Sequence, residues 1–121
     1  MALIEGVSQF KAFQEANSLI LEIRPLAKNL PQTEQFNGIA DQMRRASTSI
    51  CANLTEGFGK NTSKIELRRF VRIALGSAHE MDFWLKLSGD LDYLDKQIVN
   101  NLRERYNLVS RLLKGFEKTL S

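Results

Sequence analysis

The stretch QMRRASTSICANLTEGFGK, residues 42–60, decides how the chain folds. Its apolar residues Met43, Ala46, Ile50 and Leu54 recur at three and four positions. At about 100° per residue they make one narrow stripe, which Ile39 extends backward. The opposite side carries Arg44, Thr48, Cys51 and Thr55, mostly small residues, and Gly57 and Gly59 supply a stop. The stretch therefore reads as a helix over 35–57 with its core on one side.

The same periodicity continues on both sides, and the chain reads as all helical. Ser63-Lys-Ile-Glu66 has the S-x-x-E form of a capping box and opens a helix over 63–89 that Gly89 ends. Pro31 closes a first helix over 9–30, and Asp95 caps a fourth over 95–120. The third is expected to bury Leu67, Phe70, Ala74, Ser77, Ala78, Met81, Trp84 and Leu85. The fourth is expected to bury Ile98, Leu102, Tyr106, Val109, Leu113, Phe116 and Leu120. In the first, Phe13, Ala16, Leu19, Ile20, Ile23, Leu26, Ala27 and Leu30 span more than half the circumference, while Pro25 falls on the polar side, where water can meet the lost backbone bond. Short connections then give one domain over 1–121, an antiparallel up-down-up-down four-helix bundle. Ile65, Leu75, Phe83 and Leu87 lie off the third stripe, and Leu19 and Leu26 widen the first. That excess of apolar surface predicts self-association.

Composition bounds the function. A chain of 121 residues can bury roughly two thirds of its unfolded surface. At 43% hydrophobic and 26% charged it is too apolar for a disordered chain and too charged for a membrane protein. No apolar run approaches the about 20 residues of a membrane span, and no signal-like block follows a basic start, so the expected location is the cytoplasm. A single cysteine, Cys51, excludes an intrachain disulfide. The net charge of +3 is mild but unevenly spread. Within 42–72, Arg44, Arg45, Lys60, Lys64, Arg68, Arg69 and Arg72 face only Glu56 and Glu66; 96–118 is likewise basic, and 73–95 between them is acidic. Such polarity points to an anionic partner.

Catalytic readings fit poorly. A two-metal site in a bundle needs Glu from two helices and Glu-x-x-His from two more, whereas the only histidine is His79, so no metal or cofactor is expected. Cys51 as a nucleophile would need His79 brought to it, and packing is the simpler role for a helical cysteine among small residues. EGFGKN is not a phosphate loop: the pattern requires glycine at 54 and Ser or Thr at 61, where Leu54 and Asn61 stand. Asn53-Leu54-Thr55 is a glycosylation pattern without a secretory context.

The cations fit better. Lys64, Arg68, Arg72, His79 and Lys86 share an arc of roughly 80° on the third helix, bordered by Phe83. Lys96, Arg103, Arg111, Lys114 and Lys118 make a second outward stripe on the fourth. A solvated face explains either stripe alone. Both together, with Arg44 and Arg45, suggest contacts to a phosphate backbone. Phe83 and Tyr93 hardly make a base-stacking platform, so backbone or shape recognition is expected. The candidate nucleic-acid-binding residues are Arg44, Lys64, Arg68, Arg72, Lys86, Arg103, Arg111 and Lys114. Arg45, Glu56, Arg69 and Glu80 are expected to form a partly buried charged network near the turn between the second and third helices. Ala46, Ser49, Gly76, Ser77 and Ala78 lack bulk and should let those helices approach closely.

Residues 42–60 together with LRRFVRIALGSAHEMDFWL (67–85) resemble the family named after proteins encoded in intervening sequences of bacterial 23S ribosomal RNA genes, also called the S23 ribosomal protein family. The matching positions are Gln42, Arg44, Arg45, Ala46, Ser49, Ile50, Asn53, Glu56, Gly57, Gly59 and Lys60, then Gly76, Ser77, Ala78, Glu80 and Met81. Cys51 departs from a frequent proline, Thr55 from alanine, and Pro25 interrupts the first helix. The resemblance implies a four-helix bundle assembling as a homopentameric ring. It also implies kinship with the accessory variability determinant of diversity-generating retroelements, a basic ring that partners a reverse transcriptase and nucleic acid. The expected function is a non-enzymatic, oligomeric, RNA-binding bundle. The alternatives are a protein-interaction scaffold without direct nucleic-acid function and, more remotely, an enzyme using Cys51 or His79.

Overall fold

A computed structural model describes residues 6–59 and 63–121, so Lys60 of the motif and Asn61 of the loop test lie outside the described residues. Four long helices dominate: α1 (Lys11–Lys28), α2 (Ile39–Gly59), α3 (Lys64–Asp90) and α4 (Lys96–Lys118). Each packs on its chain neighbours, and α4 closes back on α1. Cross-helix bonds run antiparallel throughout: Ser49 meets Ser77, Asp82 meets Arg103, Arg68 meets Glu117, and Glu15 and Glu22 meet Arg105.

Most caps follow the sequence. Ser63 accepts the Glu66 amide at 3.3 Å, and Asp95 accepts those of Gln97 and Ile98 at 3.1 and 3.3 Å, satisfying amides that a helix start leaves open. At the end of α3, Lys96 Nζ donates to the Gly89 carbonyl at 3.1 Å, where a cation also suits the helix dipole. The second helix starts four residues later than the periodicity suggests, because Gln32–Glu34 form a 3₁₀ turn and Asn37 takes a left-handed φ of 58°. Glu34 holds this corner. One carboxylate oxygen accepts the Ile39 amide at 2.8 Å, and the other accepts the Tyr93 hydroxyl at 3.0 Å. Gly38 is required here, since a Cβ would lie 2.6 Å from the Glu34 Cα.

The four helices share one buried core containing Leu19, Ile23, Met43, Ile50, Leu54, Met81, Leu85, Leu102, Tyr106 and Leu113. At one end Phe10, Phe58 and Phe116 pack on one another with centroids 4.8–5.7 Å apart. Three sequence expectations change. Cys51 is buried rather than facing outward, because α1 covers that side of α2 and the thiol lies 3.9 Å from the Phe13 carbonyl. Ile98 is 43% exposed, and Val99 fills the inward place instead. The apolar excess is placed differently: Leu19 is fully buried, and Leu26, Leu75 and Leu87 pack against the core, whereas Ile65 and Phe83 stay exposed together with Leu21, Phe36 and Ile73.

The motif residues line the seam between α2 and α3. Ser77 Oγ donates to Ser49 Oγ at 2.9 Å, and Asn53 Nδ2 donates to both the carbonyl and the hydroxyl of Ser49. These small polar groups satisfy one another where larger side chains would hold the helices apart. The glycine that permits the approach is Gly57, where a Cβ would meet the Phe70 Cβ at 2.8 Å. Gly76 plays no such part, since a Cβ there would find nothing within 4 Å.

Alanine at these two glycines should therefore act in opposite directions. Gly57→Ala gains about 1 kcal/mol of helix propensity but overpacks the seam at a cost of about 1–3 kcal/mol, for a net loss. Gly76→Ala should gain about 0.5–1 kcal/mol. Urea midpoints measure both, and the reverse order would refute this account of the seam.

Candidate nucleic-acid interface

A groove of about 560 Å³ runs between α3 and α4, lined by His79, Asp82, Asn100, Arg103, Asn107, Ser110, Arg111 and Lys114 among others. Its position follows from the two outward stripes meeting across antiparallel helices. Arg103 donates to both oxygens of Asp82 at 2.8 and 3.2 Å, and this bond holds the guanidinium pKa above its ordinary value. Its charge is thus answered within the chain. Arg111 and Lys114 have no acidic partner among the described residues. Farther along, Arg68 and Arg72 both reach Glu117 Oε2 at 3.3 Å, two guanidinium groups sharing one carboxylate. Glu104 also lines the groove, so its positive excess rests on Arg111 and Lys114, while Arg68 and Arg72 stand beyond it on the same side of α3 as His79. By helical rise Arg68 lies about 16 Å from His79.

The other predicted cations are placed differently. Arg44 is half-buried and donates to the Gln35 carbonyl at 2.8 Å and to its side-chain oxygen at 3.0 Å. Gln35 in turn caps the end of α1, its amide reaching the Ala27 and Leu30 carbonyls at 2.9 and 3.1 Å. Arg44 is thus a tie between α1 and α2 and sits away from the α3–α4 groove. Lys86 bonds Asp90 one turn on at 2.7 Å, which lowers the carboxylate's pKa. Lys64 is exposed at the start of α3.

The partly buried network expected of Arg45, Glu56, Arg69 and Glu80 gives way to exposed local pairs. Arg45 is 72% exposed and bonds Asp41 on its own helix, and Arg69 bonds Glu66 at 2.7 Å while lying over the Phe70 ring. Glu56 does act on Arg69, adding to a pKa rise that comes first from the Glu66 bond. Glu80 is exposed midway along α3. The difference is one of register: Arg45 stands near the start of α2, far from the end of α2 and the start of α3, where Glu56 and Arg69 stand.

Sequence reasoning missed Arg105. It reaches across from α4 to Glu15 at 3.0 Å, to Glu22 and to Ser18 Oγ, clamping α4 onto α1. The signal was present in the spacing of Glu15, Ser18 and Glu22, which places all three on one helix face. The catalytic alternative loses its geometry. Cys51 faces α1 inside the bundle, burial pushes its thiol up to about 11, and His79 lies exposed in the groove beyond α3. Among the described residues no group of His, Cys, Asp and Glu could hold a metal ion. No helix among them is long and apolar enough to cross a membrane.

A sequence model of the family described as 23S rRNA-intervening sequence protein matches residues 8–115. No curated protein matches the chain. Among solved structures, a protein of unknown function from the S23 ribosomal protein family of Bacteroides thetaiotaomicron VPI-5482 superposes with a TM-score of 0.80. It is 22% identical over 88% of this chain and 95% of its own, a likeness that shows the fold.

Two measurements test the placements. Arg44→Ala should cost about 1–3 kcal/mol in urea unfolding, because Gln35 loses the donors that hold it, whereas Arg111→Ala should leave the midpoint unchanged. Cys51 should resist alkylation in the native protein and react at once in urea. Its folded thiol keeps a proton between 9.0 and about 11 that the unfolded thiol gives up. Its contribution to stability is therefore intact below pH 9.0 and is lost as pH rises through about 11, and replacing Cys51 with Ser should flatten that alkaline slope.

Proposed function

Because the chain belongs to the 23S rRNA-intervening sequence protein family, we propose that it is a self-associating, non-enzymatic bundle that binds RNA along the α3–α4 groove. The observation that carries this reading is the pair Arg111 and Lys114, which line that groove without an acidic partner among the described residues, while Glu104 is the one carboxylate there besides the Asp82 that Arg103 holds; beyond the groove Arg68 and Arg72 share one carboxylate. Phosphate contacts require positioned cations and little else. Asn100, Asn107 and Ser110 line the same groove and offer neutral donors and acceptors for sugar hydroxyls. Arg103 would hold the groove's shape through Asp82, while Lys64 and Lys86 would extend the positive surface beyond its ends. Arg44 would contribute through the fold. A closed ring of copies, five in the family resemblance, would repeat the groove and multiply weak contacts. A cytoplasmic setting is part of this reading.

The runner-up is a scaffold for a protein partner, with a reverse transcriptase the partner that the kinship with the accessory variability determinant suggests. Exposed Ile65, Ile73 and Phe83 on α3 favour it, since covering them with a protein surface would remove apolar area from water.

A salt titration separates the two. Anisotropy of a labelled RNA hairpin should report binding whose log affinity falls linearly with log salt concentration. Arg111→Ala combined with Lys114→Ala should reduce the slope by about two, roughly one per lost phosphate contact, while Lys28→Ala on α1 should leave it alone. No binding to hairpin, duplex or single-stranded RNA at low salt would overturn the reading.

A further inference from the structure

A second cleft lies on the other side of the bundle. Helix α1 packs on α2 and α4, and α3 packs on the same two, so the α1–α2 face is opposite the α3–α4 groove. There Leu21, Arg24, Pro25 and Lys28 follow one face of α1 at spacings of three and four, and with Gln35 and Arg44 they line a cleft of about 550 Å³. Leu21 is 72% exposed beside it. Pro25 has no amide hydrogen, so the Leu21 carbonyl is left without its helical donor and can accept a hydrogen bond from outside.

The charge of this cleft is not answered within the chain. None of its lining residues is acidic. Arg24 donates to the neutral Thr48 hydroxyl at 3.3 Å, Arg44 gives its donors to Gln35, and Lys28 forms no ion pair among the described residues. Asp41 reaches Arg44 only at 4.0 Å, being held by Arg45 and by the Asn37 amide at 3.3 Å each, and Glu22 turns away to Arg105. The excess is smaller than along α3 and α4, but here it surrounds an apolar floor. Such a floor is a poor seat for a phosphate backbone, which gains from wet, polar surroundings. It suits a chain whose apolar side chains cover Leu21 and Pro25 while its carboxylates meet the cations at the rim. A concave site between two helices also favours an inserted helix face over a flat bilayer. Arg24 is already held by Thr48, so it loses little freedom on pairing.

We propose that the α1–α2 cleft binds an acidic amphipathic helix of a partner protein, with the partner's apolar side chains on Leu21 and Pro25 and its carboxylates on Arg24 and Lys28. Binding there leaves Arg111 and Lys114 uncovered on the opposite face, so the inference stands whatever the α3–α4 groove binds.

The probe is a fluorescein-labelled peptide of about 15 residues with leucine at every third and fourth position and glutamate elsewhere, read by anisotropy. The unaltered protein should bind it saturably at low salt. Glutamine in place of the peptide's glutamates, or serine in place of its leucines, should weaken binding about tenfold or more. Leu21→Asp should cost about tenfold or more through the apolar floor, and Arg24→Glu combined with Lys28→Glu as much through the rim; circular dichroism melts should confirm that both variants fold. A labelled RNA hairpin should bind alongside the peptide without displacing it. No binding of the peptide, equal binding by both variants, or displacement by the hairpin would overturn the proposal. So would phosphatidylserine vesicles that retain the protein through Leu21 while the peptide fails to compete, since a membrane would then be the occupant. Peptide binding that both variants lose, in a protein that binds no hairpin, would uphold the cleft and remove the RNA reading alone.

Discussion

The close approach of α2 and α3 is the constraint on which the rest depends. Ser49 and Ser77 touch at 2.9 Å through their hydroxyls, and Gly57 lies against the Phe70 side chain with no room for a methyl group. Two helices held this near present a narrow seam that small polar groups fill, with Asn53 completing the hydrogen bonds of Ser49. Because α2 and α3 are fixed to each other, α1 and α4 must close on the other side of the core. That closure is made by Arg105 across α1 and α4 and by Gln35 and Arg44 across α1 and α2. Arg44 and the small residues of 42–60 are thus mostly structural. Their polarity serves packing at a seam where apolar side chains would be too large.

The pairing of charges within the chain decides which cations are left for a partner. Arg105, Arg103, Arg44 and Lys86 each bond an acid or a carbonyl of their own chain, so their charge or their donors are already engaged. Exposed pairs of this kind contribute little stability individually, of order 0–1 kcal/mol, but they remove the long-range field of the cations concerned. What survives is concentrated where α3 and α4 run side by side. A chain of net charge +3 can therefore carry a strongly directional surface, since its acids are not spread evenly against its bases.

Much of the fold was legible because the signals are local. Helix periodicity, the Ser63 and Asp95 caps and the glycine stops are short-range, and each appears within a few residues of its expected place. The start of α2 was not, because the turn depends on Tyr93 reaching Glu34 from 59 residues away. Cys51 was misplaced for a similar reason: a helical wheel gives the angle of a side chain but not which neighbour covers that angle. The basic stripes were legible as faces. Their pairings were not, since whether Arg68 and Arg72 meet an acid depends on the register of α4, which brings Glu117 beside them. Register also separates Arg45 from Glu56 and Arg69, which lie far apart from it along the bundle.

Exposed Ile65 and Ile73 stand beside Arg68, Arg69 and Arg72 but apart from the cations farther along α4, and that placement has a physical consequence. Ile65 and Ile73 project from one edge of α3, while the unpartnered Arg111 and Lys114 lie in the groove with α4. A phosphate backbone gains from charge in a wet, polar channel, whereas an apolar contact gains from excluding water. Had Ile65 stood among Arg111 and Lys114, either kind of partner would have had to desolvate groups that the other requires solvated. With the two set apart, one surface can be covered without costing the other its water. An apolar contact at Ile65 and Ile73 and a charged contact at Arg111 and Lys114 would then be separable on a single small bundle.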